Sequence, residues 1–295
     1  MTFPQWIRAC LDRVEIALQN GLPEVDCAPA KLHEAMRYAV LGGGKRVLPL
    51  LCHATGELVG AGSQALVVAS VSLELIHTCS LVHDDMPAMD NDALRRGKPT
   101  VHVQYGEAIA LLVGDALQSQ AFIALTADDN GLNAVQQAAL MRELARASGS
   151  LGMAGGQAID LESIGTQLSR AELETMHGKK TGALIRAAVR MGALCGVTPE
   201  ASAMSALDAY AEAIGLAFQV VDDILDMTAD SATLGKTAGK DAQHDKPTYV
   251  SMIGLDASRD LAHQLGRDAR TALDRFGPQA ACLRELANLV VNRVH

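Results

Sequence analysis

Four carboxylates, Asp84, Asp85, Asp90 and Asp92, stand just ahead of three cations, Arg95, Arg96 and Lys98, in the segment LVHDDMPAMDNDALRRGKPT. A second acidic group, Asp222, Asp223 and Asp226, lies in the apolar run FQVVDDILDMT. Residues four apart on an α-helix sit about 40° apart around its axis, so Asp222 and Asp226 share a face. Their charges repel, an arrangement that a bound cation would relieve. Hard oxygen donors suit Mg²⁺, which keeps several waters and takes one or two carboxylates together with substrate phosphates. In the first group Asp84 and Asp90 would diverge by about 120° on an ideal helix. Pro87 disrupts the helix and lets the chain turn so that Asp90 comes back toward Asp84. The planar forks of Arg95 and Arg96 suit bidentate phosphate contact. Acids that hold metal beside arginines that hold phosphate predict a magnesium-bridged diphosphate site. One such motif alone is more often a solvated helix face. Two copies, far apart and in apolar settings, favour the metal reading.

The elements that must position these groups are helices. Apolar residues recur at three and four positions, as at Leu73, Ile76 and Leu81 or Ile185, Val189 and Met191, and alternating β-branched stretches are nearly absent. Turn signals fall at 21–29, 42–44, 60–62, 128–131, 163–166, 196–199 and 230–239, and none resembles a domain linker. An all-α fold with one domain over residues 1–295 is therefore expected. A net charge of −9 argues against nucleic acid or anionic lipid as the main partner, because either needs a basic patch. Cysteines 10, 27, 52, 79, 195 and 282 form no CxxC pair, which suits a reducing compartment. There is no signal-peptide pattern and no long uninterrupted apolar run, so a cytoplasmic protein without stable membrane insertion is expected.

Further motifs occur in a fixed order: GGGKR at 42–46, DDMPAMD at 84–90, RRG at 95–97, GGQAIDL at 155–161, KKTGALI at 179–185, FQVVDDILD at 218–226, then LGKTAGKD and DKPTY. Together they resemble the trans-isoprenyl diphosphate synthases, with the nearest likeness to bacterial farnesyl diphosphate synthases and their geranylgeranyl relatives. The resemblance implies the isoprenoid synthase fold, a bundle of about ten or more helices around a central cavity, and a homodimer. It implies that Asp84, Asp85 and Asp90 on one wall, and Asp222 and Asp226 on the other, hold about three Mg²⁺ ions on an allylic diphosphate. Arg95, Lys180, Lys236 and Lys246 would neutralise the remaining charge. As the allylic C–O bond ionises, the double bond of isopentenyl diphosphate attacks the cation, and a proton is then lost to the departed diphosphate. Thr181 and Gln219 would place oxygens near that cation.

The same resemblance assigns Gly44, Lys45, His77 and Arg96 to a metal-free phosphate site for isopentenyl diphosphate. Here the chain departs from the family's GGKRxRP: GGGKRVLP places Leu48 where a phosphate-binding arginine is expected. Losing one charge-assisted contact costs roughly 1.5 to 3 kcal/mol. Arg46 is the candidate substitute, although neighbouring helical positions point about 100° apart. His77 alone would read as a core histidine, and Lys179 as a surface lysine. Product length is expected to depend on Cys79 and Ser80, one turn before Asp84. A small Cys79 where farnesyl synthases often carry an aromatic keeps geranylgeranyl diphosphate as the alternative to farnesyl diphosphate, unless Met36 or Met86 closes the tunnel. A class I terpene cyclase fits poorly, given two aspartate motifs and 3% aromatics. The rival from another class is a non-catalytic or regulatory subunit that has lost part of its isopentenyl site.

Overall fold

Helices form wherever the three-and-four spacing runs without glycine or proline, and they start on recognisable caps. Asn133 accepts hydrogen bonds from the amides of Val135 and Gln136 while the Gln136 side chain returns to the Asn133 amide. Ser169 and Glu172 repeat the arrangement. Each of these capping boxes satisfies amides that the first helical turn leaves open. The structure, a computed structural model, describes residues 1–197, 199–228 and 247–293. The helices are α1 (Phe3–Gly21), α2 (Ala30–Val40), α3 (Val47–Leu58), α4 (Ser63–Asp84), α5 (Val101–Tyr105), α6 (Glu107–Thr126), α7 (Ala134–Ser148), α8 (Met153–Glu162), α9 (Arg170–His177), α10 (Ala183–Leu194) and α11 (Ala201–Thr228). A π-helical turn, Gly178–Gly182, separates α9 from α10. The helices Tyr249–Ile253, Leu255–Ala272 and Ala281–Val291 follow. The predicted turn at 230–239, Lys236 and Lys246 lie outside the described residues.

α4 is apolar on every face, with Leu66, Val71, Leu73, Leu75 and Ile76 buried, as befits an interior helix. It packs between α3 and α6, while α11 packs against α10 and the helix Leu255–Ala272. The two acidic groups sit at or near the C-terminal ends of these inner helices: α4 stops at Asp84, and Asp226 lies in the last turn of α11. Helix C-termini carry partial negative charge, so carboxylates placed there raise the demand for a cation.

Three details depart from the sequence expectation. A two-residue hairpin pairs Leu94 with Pro99 and Arg95 with Lys98, and its turn has Arg96 and Gly97 both at positive φ. That is the backbone a tight hairpin requires, but strands this short have no readable alternation. Next, α4 and α6 are long and apolar enough by composition to cross a membrane. Burial inside the protein accounts for 72% of that stretch of α4 but 33% of α6, whose Leu111, Leu112 and Ile123 stay exposed. Each helix also carries acids, Glu74 and Asp84 in α4, Glu107 and Asp115 in α6. Finally, Arg46 does not replace the missing arginine. It caps α3 in a left-handed conformation with its guanidinium buried against Glu15 and Glu74.

His53, on α3, is fully buried with neither ring nitrogen hydrogen-bonded. Burial, helped by Arg13, holds its pKa down to about 4 from 6.5. The unfolded chain therefore binds the proton first, so stability is complete above pH 6.5 and falls as pH drops through the window from 6.5 to 4. At pH 5 the loss is about 2 kcal/mol, at about 1.4 kcal/mol per pH unit. Thermal unfolding at pH 7 and pH 5 should show a smaller drop in Tm for His53→Leu than for the parent chain.

Candidate active site

The first acidic loop turns back on the end of α4. The Asp90 amide donates to the Asp84 carbonyl at 2.9 Å, and the Asp92 amide to that of Asp85 at 3.1 Å. Asp84 and Asp90 both face one cavity of about 970 Å³. Asp85 does not line it: its carboxylate is buried and clasped by Arg95, with Nη2–Oδ1 at 2.6 Å and Nε–Oδ2 at 2.8 Å. In this structure the Asp85 carboxylate is thus paired with Arg95, whose side chain lines the cavity. Desolvation pushes the Asp84 carboxyl up to about 6, reinforced by Asp90 and opposed by Lys180.

The opposite wall comes from α8, the π-turn and α11. Lys180 Nζ donates to Asp160 Oδ2 at 2.6 Å, and both line the cavity. Lys179 instead reaches the Leu151 carbonyl and stays off the cavity. Thr181 Oγ1 donates to Gln219 Oε1 at 3.1 Å, and Gln219 Nε2 to Asp223 Oδ1 at 3.2 Å. Asp223 Oδ2 in turn accepts from the Tyr249 amide at 2.8 Å. This relay fixes which end of the Gln219 amide meets Thr181, and it commits Asp223 to structure. π-turns are rare and recur at functional sites. This one is seated tightly: a Cβ at Gly156 of α8 would lie 2.1 Å from the Lys180 amide nitrogen.

Asp222 lines the cavity and pairs with Arg293 Nη2 at 2.6 Å. The Arg293 guanidinium lies 3.8 Å from the centre of the Phe218 ring and also donates to the Phe218 carbonyl. The chain leaving the helix Ala281–Val291 thus brings Arg293 to the site. Asp226 is buried behind Asp222, off the cavity, and its Oδ1 has no hydrogen-bond partner among the described residues.

At the remaining end, Gly44, Lys45, Leu48, His77 and Arg96 line the same cavity. The Arg96 side chain donates to the Gly43 carbonyl, and a Cβ at Gly44 would lie 2.7 Å from its guanidinium, so the glycine lets the arginine lie flat on the backbone. Burial, with Arg293 adding and Asp222 opposing, holds Lys45 below its ordinary value. His77 is likewise held low by burial, against the pull of Glu74. Leu48, 6% exposed, presents an apolar surface. Cys79 and Ser80 line the cavity below Asp84, whereas Met36 and Met86 do not.

Among the described residues no three acidic, His or Cys side chains converge into a cage for a metal. Asp84, Asp90 and Asp222 line the same cavity and offer carboxylate oxygens. That set, the desolvated Asp84 and the orphaned Asp226 oxygen fit Mg²⁺ shared with a phosphate ligand better than a metal enclosed by protein.

The sequence pattern of the polyprenyl synthetase family matches residues 29–275. The chain belongs to that family. It is 50% identical over 286 residues to a probable farnesyl diphosphate synthase of Bradyrhizobium diazoefficiens, covering 95% of this chain and 85% of that protein. It is 46% identical over 297 residues to the farnesyl diphosphate synthase of Escherichia coli K12, covering 99% of both. A crystal structure of a geranyltransferase from Helicobacter pylori, complexed with magnesium and isoprenyl diphosphate, superposes with a TM-score of 0.86 at 32% identity, covering 99% of this chain and 97% of that one. The fold is thus the isoprenoid synthase fold.

Gln157, Asp160, His177 and Phe218 are among the cavity residues of this family member that sequence reasoning overlooked. Gln157 and Asp160 stand in GGQAIDL, whose placement just ahead of KKTG was the available signal. Because Gly156 abuts the Lys180 backbone, Gly156→Ala must displace the π-turn that carries Lys180 and Thr181. Product formation should fall roughly 5- to 150-fold while the far-ultraviolet circular dichroism spectrum stays helical, since overpacking typically costs about 1 to 3 kcal/mol and each 1.4 kcal/mol is about tenfold.

Proposed function

We propose that this chain is a short-chain prenyltransferase that condenses isopentenyl diphosphate with dimethylallyl or geranyl diphosphate and releases farnesyl diphosphate. The observation that carries the reading is one cavity with two unlike anion sites. Asp84, Asp90 and Asp222 line it as one acidic set, and Lys45, His77 and Arg96 line it as a set whose buried carboxylate neighbour, Glu74, is paired with Arg46. A volume of about 970 Å³ sits at the top of the usual range for ligand pockets, enough for two substrates.

Asp84, Asp90 and Asp222, with Asp226 behind, would hold about three Mg²⁺ ions against an allylic diphosphate, where the metal supplies Lewis-acid stabilisation of the leaving group. Arg95 and Lys180 meet the same diphosphate as fixed cations, each aimed by a buried carboxylate, Asp85 and Asp160. Positioned charge of this kind needs no reorganisation as the C–O bond breaks. Thr181 and Gln219 place oxygens beside the resulting allylic cation. The isopentenyl diphosphate lies against Lys45, His77 and Arg96, and its double bond attacks the cation. The departed diphosphate then accepts the proton, so no side-chain nucleophile is required.

The reading extends to one catalytic domain over the whole chain, a cytoplasmic setting and a homodimer. Family coverage from 29 to 275, six free cysteines and the exposed apolar side of α6 support these in turn. Ile123→Glu, on that side of α6, should shift the sedimentation coefficient from dimer to monomer.

The test is incubation of the purified chain with Mg²⁺, isopentenyl diphosphate and dimethylallyl or geranyl diphosphate, with product length read by mass spectrometry. Farnesyl diphosphate is expected, with none formed in excess EDTA. Cys79, 4% exposed on the cavity wall, supports geranylgeranyl diphosphate as the second reading. In either case Cys79→Phe should shorten the product by one isoprene unit. No product at high isopentenyl diphosphate would overturn the enzymatic reading and favour the non-catalytic subunit.

A further inference from the structure

Arg46 stands next to Lys45 and borders the cavity, yet its guanidinium is spent on protein groups. Its guanidinium donates to Glu15 Oε1 at 2.7 Å, Glu15 Oε2 at 3.3 Å, Glu74 Oε2 at 2.7 Å and the Val40 carbonyl at 2.8 Å. It thereby ties α1, the end of α2 and α4 to the start of α3. The residue is 3% exposed and sits at φ 48°, ψ 40°, a left-handed conformation uncommon for a side chain of this size. Those four hydrogen bonds fix that turn, and the turn sets where Gly44 and Lys45 lie. Gly44 in turn carries the Arg96 guanidinium.

Glu74 is 2% exposed and borders the same cavity. It precedes His77 by three residues on α4, so the two share a face. Its charge is felt by both His77 and Arg96. A bare carboxylate there would oppose any diphosphate held by Lys45, His77 and Arg96, because Coulomb repulsion is strong where water is scarce.

We infer that Arg46 and Glu74 form a charge-balancing positioning pair for the isopentenyl diphosphate subsite, an inference that rests on the subsite reading above. Arg46 cancels Glu74 so that the subsite keeps the positive charge of Lys45 and Arg96, and Glu74 anchors the turn that presents them. Neither residue touches the substrate.

The experiment measures KM for each substrate, kcat, and the Kd of isopentenyl diphosphate by calorimetry in EDTA, where no turnover occurs. Arg46→Met leaves Glu74 unbalanced and should raise KM and Kd for isopentenyl diphosphate at least roughly tenfold, with KM for the allylic substrate changed less than about threefold. Glu74→Gln keeps an acceptor for Arg46 but removes the negative charge, so both constants should fall, by about threefold. The double variant should return to within about threefold of the parent. A purely structural tie predicts the opposite sign for Glu74→Gln and no rescue in the double variant, and either result overturns the pair. Should Arg46→Met fail to fold, the near-isosteric Glu74→Gln still decides by the direction of its change. Lys45→Gln and Arg96→Gln serve as controls for the subsite itself. If neither weakens isopentenyl diphosphate, the ligand binds elsewhere and the inference falls with the subsite. If both weaken it while Glu74→Gln binds less tightly than the parent, the pair alone fails.

Discussion

A bundle of apolar helices can enclose charge only where each ion meets its opposite, because removing an unpaired ion from water costs several kcal/mol. That constraint organises this cavity. Asp85 holds Arg95, Asp160 holds Lys180 and Asp222 holds Arg293, each at 2.6 Å, while Glu74 holds Arg46 at 2.7 Å. The pairs are not equivalent. In the first two the carboxylate is the more buried partner and the cation lies nearer the cavity, so the acid works as a brace. In the third the aspartate is the more exposed member and the arginine the buried one, which leaves the carboxylate turned toward whatever enters. In the fourth both members are buried at the cavity wall and spend their charge on each other.

The sense of each pair follows from the backbone that carries it. Asp85 is pulled inward because α4 ends at Asp84 and the loop folds back through the Asp90 and Asp92 amides. Lys180 is presented by a π-turn seated against Gly156, and Asp160 lies on the same helix, one turn after that glycine. Close packing of glycine against backbone therefore serves the electrostatics. Without it α8 would stand farther from the turn, and the 2.6 Å pair could not form. Thr181 and Gln219 gain their fixed orientation from the same contact region, through Asp223 and the Tyr249 amide.

Much of this was legible in the sequence because the informative spacings are local. Asp222 and Asp226 four apart, Pro87 between Asp84 and Asp90, and the uninterrupted three-and-four pattern each specify geometry within one or two turns. What escaped was non-local or below the length of any pattern. Nothing near Arg46 marks Glu15 or Glu74 as its partners, 31 and 28 residues away. Asp85 and Asp84 are adjacent acids of identical type, and only the hairpin that returns Arg95 separates the brace from the residue facing the cavity. The hairpin itself escaped because two residues cannot show a two-residue period. Among the described residues the π-turn also escaped, since KKTG reads as ordinary helix until Gly156 is known to press against it.

Leu48 gains its meaning from these pairings. An arginine expected at that position would have added a cation beside Lys45 and Arg96 on the cavity wall, and its neighbour Arg46 looks in sequence like a ready replacement. The four hydrogen bonds of Arg46 rule that out, because moving the guanidinium toward the cavity would strand Glu74, 2% exposed, without its counter-ion. The burial penalty for that carboxylate exceeds what one new phosphate contact returns. With Leu48 in the wall, attraction at this end rests on Lys45 and Arg96, so each is a larger share of the total than it would be beside an arginine. A chain that has given up one cation there depends correspondingly more on keeping Glu74 silent.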